Sequence, residues 1–212
     1  MNPEELIQKN VLVFPAKVHQ RAMKLSALLA SLGTEFTLDT RQAIPHISLY
    51  QAAYPSHSED LLLHKVRQIA ATTPPFEVEL RGFSVFWETF VFWDAVKNTQ
   101  LSSLHQRLLG ALNPVRDGML LPIHEQLLAD ETIPAGLRES IRKYGNPLCG
   151  DEERPHLTLA RLKDAAQADA ALQLLRSQAR ASLRVIVSNL FIGTVGPHGT
   201  CPMLGRAFAL GG

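Results

Sequence analysis

The feature that most constrains the fold of this chain is a five-residue pattern, Pro-His-apolar-hydroxyl-Leu, that occurs twice. It reads PHISL over Pro45–Leu49 and PHLTL over Pro155–Leu159. Because side chains of a β-strand alternate faces, the histidine and the hydroxyl of each copy share one face, and the apolar residues line the other. A single His-x-Ser or His-x-Thr is expected by chance in a chain of this length. Two extended copies, 110 residues apart, indicate an internal repeat.

The segments that follow the two motifs support this repeat. Apolar residues recur at helical spacing over 59–71 and again over 167–179, where the last of them is Ala179. Alternating residues then predict strands, a strand pair over 76–86 and the corresponding strand segments over 183–193. Each motif strand is therefore followed by a helix and further strand segments.

The segments upstream of the motifs are similar as well. Residues 11–33 predict a strand and then a helix, and residues 90–112 predict the same order. The two repeats span roughly 10–86 and 90–193. Four helices alternate with antiparallel strands, which is an α+β pattern and not a parallel βαβ array. We expect a single bilobal domain over 1–212.

The repeats differ in a long segment, 114–150, where the first repeat has a short loop. It contains four prolines and a predicted short helix at AGLRESIRKYG, which begins at Ala135. A connection of this length is typical of a functional cover or a mobile loop. We expect a lid over the site, with plain surface decoration as the alternative.

Charge and composition exclude several classes of function. The net charge of +1 gives no chain-wide field for holding long nucleic acid, so a nucleic-acid substrate would be short, or an end. The beginning of the chain resembles no secretory signal, and no apolar stretch is long enough to cross a bilayer. Cys149 and Cys201 lack the spacing of a zinc site. We expect a reduced, cytoplasmic protein without a metal or other cofactor, and a monomer.

The two motifs suggest acid–base chemistry. An imidazole holds or releases a proton near neutral pH, so His46 and His156 facing one cleft would form a general acid and base pair. Ser48 and Thr158 would donate hydrogen bonds to phosphate oxygens where charge develops. In-line displacement at phosphorus requires this arrangement. No Gly-rich phosphate loop is present, so ATP use is not implied.

At these residues the sequence resembles the two-histidine (2H) phosphoesterase superfamily, and more narrowly its LigT-like branch, named for 2'-5' RNA ligase and RNA 2',3'-cyclic phosphodiesterase. The resemblance implies a bilobal, duplicated antiparallel-sheet fold with a pseudo-two-fold central cleft. It also implies that His46 and His156 are catalytic and that Ser48 and Thr158 bind the substrate. The first motif has serine where threonine is commoner in the family.

Other residues are candidates for the cleft. Arg161 follows the second motif and could pair with a phosphate, although a solvent-exposed position is an equal alternative. Tyr50 lies two residues beyond Ser48 and on the same face, so we expect it to line the cleft. The match PHGT at His198 has the glycines of a turn, and a structural turn is the preferred interpretation. His64 and His105 are interpreted as helix surface or packing residues.

An aromatic cluster between the repeats is interpreted mainly as strand core, with one or two rings available to stack on a base. It comprises Phe83, Phe86, Trp87, Phe90, Phe92 and Trp93. The function expected is a metal-independent phosphodiesterase that acts on a nucleotide or short RNA, with an RNA 2',3'-cyclic phosphate as the leading substrate. The alternatives are cleavage of 2',5'-linked or cyclic oligonucleotides, and a nucleotide-binding module without turnover.

Overall fold

The structure, a computed structural model, describes residues 6–178 and 182–211. The strands are β1 (Leu6–Val13), β2 (Ile47–Pro55), β3 (Phe76–Phe86), β4 (Phe90–Ala95), β5 (His156–Arg161), β6 (Leu183–Val187), β7 (Asn189–Thr194) and β8 (Leu204–Ala209). The helices are α1 (Ala16–Leu29), α2 (Glu59–Ala71), α3 (Thr99–Leu112), α4 (Pro122–Ala129), α5 (Ala135–Tyr144) and α6 (Ala168–Gln178). Ala179, the last apolar position of the predicted sixth helix, lies outside the described residues.

The eight strands form one sheet in the order β6-β3-β4-β5-β2-β1-β7-β8, and every paired neighbour is antiparallel. Helices α1, α2, α3 and α6 contact the sheet and share one hydrophobic core with it. The expected α+β fold is confirmed. Of the described residues, none belongs to a helix with the length and apolar character needed to span a bilayer.

Helices α1, α2, α3 and α6 lie where the periodicity predicts them, because their apolar stripes face this core, whereas α4 was not predicted. In α3, Leu101, Leu104, Leu108 and Leu112 are all buried. Asn98 begins this helix, and its side-chain oxygen accepts a hydrogen bond from the Leu101 amide at 2.8 Å. A cap of this kind is worth about 1 kcal/mol, because it satisfies an amide with no partner inside the helix.

The register of the sheet reflects the internal repeat. Ile47 pairs with Leu157 where β2 meets β5, and each of these residues directly follows a motif histidine. At another place in the sheet Val78 pairs with Val185, which are also equivalent in the repeat. Equivalent positions therefore face each other across the sheet, and the two motif strands are neighbours.

The prediction of two strands over 76–86 was wrong, because this segment is the single strand β3. The strand is irregular near Gly82, whose φ of +82° suits glycine, and the register with β4 shifts between Leu80 and Phe83. The first part of β3 pairs with β6, and the last part pairs with β4. One irregular strand therefore joins β6 to the rest of the sheet.

Both motif strands contain a β-bulge at an equivalent residue. Val11 and Leu12 of β1 face Tyr50 and Ser48, so Leu49 is an extra residue in β2. Leu159 is the extra residue in β5, because Ala160 and Thr158 face successive residues of β4. A bulge changes the alternation of the strand beyond it. The residues after each bulge therefore change face.

The long segment 114–150 contains α4 and α5 and packs onto the sheet. Ile141 of α5 is fully buried, and the hydroxyl of Tyr50 donates to the carbonyl oxygen of Tyr144 at 2.8 Å. The side-chain Nδ2 of Asn113 donates to the carbonyl oxygen of Lys143 at 2.9 Å. Both bonds join this segment to the rest of the domain.

Candidate active site

The two motifs lie side by side on a groove of about 760 Å³. His46, Ser48, His156 and Thr158 all line the groove. The intervening Ile47 and Leu157 are fully buried and pair with each other across β2 and β5. The alternation predicted from the sequence therefore holds at both motifs, with the polar side chains toward the groove and the apolar ones toward the core.

The two imidazoles are held in the same way. Nδ1 of His46 lies 2.8 Å from the carbonyl oxygen of Ile44, and Nδ1 of His156 lies 2.6 Å from that of Arg154. A carbonyl oxygen only accepts, so each Nδ1 carries the proton of the bond. The lone pair of the neutral ring is then on Nε2. Each imidazole therefore has Nε2 available for proton transfer, while the bond at Nδ1 fixes the orientation of the ring.

Burial lowers the pKa of both imidazoles. Desolvation is the main cause at His46, and the bond to Ile44 opposes it. At His156, desolvation together with the nearby His46 and Arg154 lowers the pKa to about 4, against the opposing bond to the Arg154 carbonyl. The repulsion between the two protonated rings acts on both of them, whereas the charge of Arg154 is a cause at His156 alone. A single proton shared by the pair is therefore favoured on His46.

The hydroxyl of Ser48 is positioned by a residue that the sequence analysis did not consider. Asn10 of β1 is buried, and its Nδ2 donates to Ser48 Oγ at 2.7 Å. Because the Ser48 oxygen accepts this bond, its O–H is free to donate toward the groove. The signal in the sequence was a lone amide in the otherwise apolar end of β1, NVLV.

The ring of His156 is stacked on Phe92. Their centroids are 3.7 Å apart and their planes differ by 16°. The guanidinium of Arg154 lies 5.7 Å from the same phenyl ring, and its Nη2 donates to Ser84 Oγ at 2.8 Å. Phe92 thus covers one face of the imidazole, and the edge of the imidazole ring faces the groove.

Arg161 lies at the groove and does not extend into free solvent. Its Nη1 donates to Nδ1 of His198 at 2.6 Å, and its Cζ is 5.1 Å from the centre of the Phe90 ring. His198 is in the turn Pro197–Gly199, as expected, yet it also lines the groove. No local pattern in the sequence pairs these two residues, which are 37 positions apart.

The expectation that Tyr50 shares the face of Ser48 was wrong. The bulge at Leu49 shifts the alternation, and Tyr50 is only 1% exposed. Its ring borders the groove, but its hydroxyl is directed to Tyr144, and burial raises its pKa well above the usual value. Tyr50 is therefore a residue that positions the neighbouring segment.

The aromatic cluster contributes to both the groove and the core. Phe86, Trp87, Phe90 and Phe92 line the groove, and three of these are only half-buried. Trp93 is a core residue, as predicted. The interpretation as core holds for Phe92 and Trp93, which are buried, and for Phe83, which packs against the core, whereas the half-buried Phe86, Trp87 and Phe90 line the groove.

Two further histidines lie at the groove, His105 and His124, and both are buried. Nδ1 of His105 bonds the Leu49 carbonyl oxygen at 2.7 Å, and its Nε2 accepts from the Gly150 amide at 3.2 Å. Nδ1 of His124 bonds the Gly145 carbonyl oxygen at 2.7 Å. The packing role expected for His105 agrees with these bonds. His64 is exposed on α2.

Over residues 6–178 and 182–211, no group of three or more His, Cys, Asp or Glu side chains is arranged to hold a metal ion. Both cysteines are buried and unbridged. The groups that converge on the groove at the motifs are two imidazoles and two hydroxyls. Imidazoles can transfer protons near neutral pH, and hydroxyls can donate hydrogen bonds.

Comparison with known proteins gives one family and a set of similar structures. The model of the 2'-5' RNA ligase superfamily matches residues 29–194. TT0787 of Thermus thermophilus is 17% identical over 98% of both chains, with a TM-score of 0.57. E. coli LigT complexed with phosphate is 14% identical over 98% of this chain and 99% of LigT, with a TM-score of 0.53. No curated protein sequence matches the chain.

A further structure, E. coli LigT complexed with 3'-AMP, is 13% identical over 97% of this chain and 98% of that one, with a TM-score of 0.52. At these identities the similarity concerns the fold. The duplicated antiparallel fold expected from the two motifs is confirmed by these structures.

Proposed function

The chain belongs to the 2'-5' RNA ligase superfamily, one of the 2H phosphoesterase families, and on this premise we propose that it hydrolyses a terminal RNA 2',3'-cyclic phosphate to a 2'-phosphate. The observation that carries the proposal is the matched pair of imidazoles on adjacent strands. His46 and His156 each have Nδ1 bonded to the carbonyl oxygen two residues earlier. Each ring therefore offers Nε2 to one groove.

The proposed reaction uses one imidazole as base and the other as acid. Nε2 of neutral His156 accepts a proton from the attacking water, whose oxygen forms the new bond to phosphorus. The bond from phosphorus to the ribose 3'-oxygen breaks, and Nε2–H of protonated His46 supplies the proton to that oxygen. Arg154 favours this assignment, because its charge lowers the pKa of His156.

Ser48 and Thr158 are proposed to donate hydrogen bonds to the non-bridging phosphate oxygens, where charge increases during attack. Asn10 supports this role for Ser48. Its side-chain N–H donates to the Ser48 oxygen, so the Ser48 O–H is free to donate to the phosphate. The similar E. coli LigT has been solved with phosphate and with 3'-AMP. A nucleotide phosphate in the groove of this chain is consistent with those complexes.

Product analysis tests the proposal. The protein is incubated in excess EDTA with nucleoside 2',3'-cyclic phosphates, 3',5'-cyclic nucleotides and 2',5'-linked dinucleotides, and the products are separated chromatographically. The expected result is a nucleoside 2'-phosphate from the 2',3'-cyclic substrates. Turnover of the 2',5'-linked substrates alone would favour the rival phosphodiesterase activity. Binding without turnover across the whole panel would indicate a nucleotide-binding module instead.

A further inference from the structure

The two walls of the groove differ in chemistry, although the repeat makes them equivalent. Arg161 follows the second motif at the position that Gln51 occupies after the first, 110 residues earlier. Phe90 is the strand partner of Arg161, and Asn10 is the partner of Gln51. The wall from the second repeat thus carries a cation and an aromatic ring, whereas the other wall carries Gln51, whose partner Asn10 is buried.

The charge of Arg161 is available to an anion. In the described part of the chain, residues 6–178 and 182–211, no carboxylate oxygen lies within 4.0 Å of its guanidinium. The groups that hold it are the Phe90 ring and Nδ1 of His198, which accepts its hydrogen bond. Neither neighbour is an anion. Arginine also presents several donors in a fork that fits phosphate oxygens.

His198 is held in an unusual conformation beside Arg161. Its φ is +58°, in the left-handed region that non-glycine residues rarely adopt. Its ring is stacked on Phe36 at a centroid distance of 6.4 Å. Strained residues of this kind persist where the surrounding structure requires them, often at binding sites.

The tip of the β3–β4 hairpin has two further residues with positive φ next to the same wall. Trp87 and Glu88 have φ values of +45° and +60°. The centroid of the Trp87 ring lies 4.6 Å from that of Phe86, and its Nε1 is buried without a hydrogen-bond partner among the described residues. Phe86 pairs with Phe90 across the hairpin, which connects this tip to Arg161.

We propose that this wall is a second subsite, which binds the nucleotide that adjoins the terminal cyclic phosphate. Arg161 and His198 bind its phosphate, and the aromatic tip of Phe86, Trp87 and Phe90 stacks on its base. The end of an oligonucleotide is therefore the preferred substrate, and a free mononucleotide is a poorer one. This inference rests on the proposed function, since it takes the two motif histidines as the site of the scissile phosphate.

The spacing along β5 is compatible with one nucleotide. Because Leu159 is an extra residue, Thr158 and Arg161 face Phe92 and Phe90, which are two residues apart on β4, so they are separated by about 7 Å along the sheet. A long side chain at that distance reaches the phosphate next to one held at the motifs. The small net charge of the chain agrees with few phosphate contacts. Stacking on aromatic rings supplies affinity without strong base preference.

Three uridine substrates separate the two parts of the subsite. They are uridine 2',3'-cyclic phosphate, the same nucleotide with a 5'-phosphate, and a uridine dinucleotide ending in the cyclic phosphate. The 5'-phosphate is expected to raise kcat/KM about tenfold, because it supplies the group for Arg161. The additional nucleoside of the dinucleotide is expected to raise it about fivefold further through stacking. Equal kcat/KM values for all three substrates would overturn the proposal.

Variants assign these gains to residues. Arg161→Gln is expected to abolish the gain from the 5'-phosphate, and Trp87→Leu the gain from the additional nucleoside. The matched control is Gln51→Ala, the equivalent position on the other wall, which is expected to keep both ratios. If each variant lowered kcat/KM equally on all three substrates, the residues would be structural and the subsite would be contradicted.

The subsite and the proposed function fail in different ways. Absence of turnover on all three substrates would contradict the proposed function. The subsite is then judged by binding, measured calorimetrically with uridine 2'-phosphate and with the dinucleotide ending in a 2'-phosphate. Tighter binding of the dinucleotide, lost in Arg161→Gln, would support the subsite, and equal affinities would overturn it.

Discussion

The two motif imidazoles have the same backbone bonds but different neighbours. His156 is packed on Phe92 and lies near the positive charge of Arg154. Burial, together with the charges of His46 and Arg154, lowers its pKa to about 4. Burial is the main cause of the lowered pKa at both rings, and the charge of Arg154 adds to it at His156 alone. Because a general base must be neutral and a general acid protonated, this asymmetry is the physical basis for assigning the base to His156 and the acid to His46.

We expect kcat/KM to depend on pH along a bell-shaped curve whose maximum lies at acidic pH. Below about pH 4 His156 becomes protonated and cannot act as base. Above its lowered pKa, which is under 6.5, His46 loses the proton it must donate. We expect kcat/KM to be highest between these limits, and Arg154→Gln to move the acidic limb to higher pH. A kcat/KM that rises up to about pH 8 would contradict this assignment.

A substrate with a better leaving group separates the acid from the base. When sulfur replaces the bridging 3'-oxygen, the leaving thiolate needs little protonation. His46→Ala should then recover most of its lost rate on the sulfur substrate, whereas His156→Ala should not. The comparison is the ratio of kcat/KM for the sulfur and oxygen substrates in each variant. Equal rescue of both variants would contradict the assignment of roles.

At the scale of elements, the strands and helices that follow from periodicity could be predicted, and local irregularities could not. The alternation at His46 and Ser48 indicated correctly which face meets the groove. The bulges at Leu49 and Leu159 insert one residue with no distinguishing residue type, so the sequence analysis placed Tyr50 on the wrong face. The same kind of bulge brings Arg161 to the groove.

The segment 114–150 combines a helix that packs on the domain with one that borders the groove. In α5, Leu137 and Ile141 are buried. In α4, His124 is buried, while Ile123 is 55% exposed at the groove. We propose that α4 covers the bound substrate and that α5 anchors α4 to the domain. This proposal makes the lid expected from the sequence more specific.

Replacement of 122–129 by a Gly/Ser linker should therefore act on substrate binding. We expect KM for a cyclic nucleotide to rise about tenfold, with a small change in Tm, since long loops cost little free energy. The contrasting variant is Ile141→Ala in α5, which should lower the free energy of unfolding by about 2–5 kcal/mol. A loss of folded protein on replacing α4 would instead make it part of the core.

At the scale of the whole molecule, burial of several imidazoles makes folding sensitive to acid. Burial lowers the pKa values of five histidines: His19, His46, His105, His124 and His156. Below about pH 6.5 the unfolded chain binds protons at these side chains that the folded chain does not bind. The free energy of unfolding therefore decreases as the pH falls from about 6.5 toward about 4.

Thermal unfolding measured from about pH 7.5 to about pH 4.5 tests this linkage. We expect Tm to fall by about 5–10 °C over this range. His124→Gln should reduce the dependence of Tm on pH, because it removes one buried imidazole. His64→Ala, at an exposed position of α2, is the control and should leave the dependence unchanged. A Tm that rises on acidification would contradict the linkage.

The duplication of the chain was predictable because it repeats a motif, a helix and strand segments in the same order. The difference between the two groove walls was not, because it depends on contacts between distant segments. Arg161 meets His198 only after the turn that follows β7 is brought beside the end of β5. The fold is thus nearly symmetric, while the proposed subsite joins Arg161 at the end of β5 to His198 between β7 and β8, across the two halves of the sheet.

The most direct test of the two-histidine mechanism is the rate of the two motif-histidine variants in the presence of a chelator. Hydrolysis of a nucleoside 2',3'-cyclic phosphate is measured in excess EDTA for the wild type, His46→Ala, His156→Ala and the control His64→Ala. We expect the wild type and the control to remain active and each motif variant to lose on the order of a hundredfold or more in kcat/KM. Activity abolished by EDTA and restored by a divalent ion, with both motif variants as active as the wild type, would contradict this mechanism.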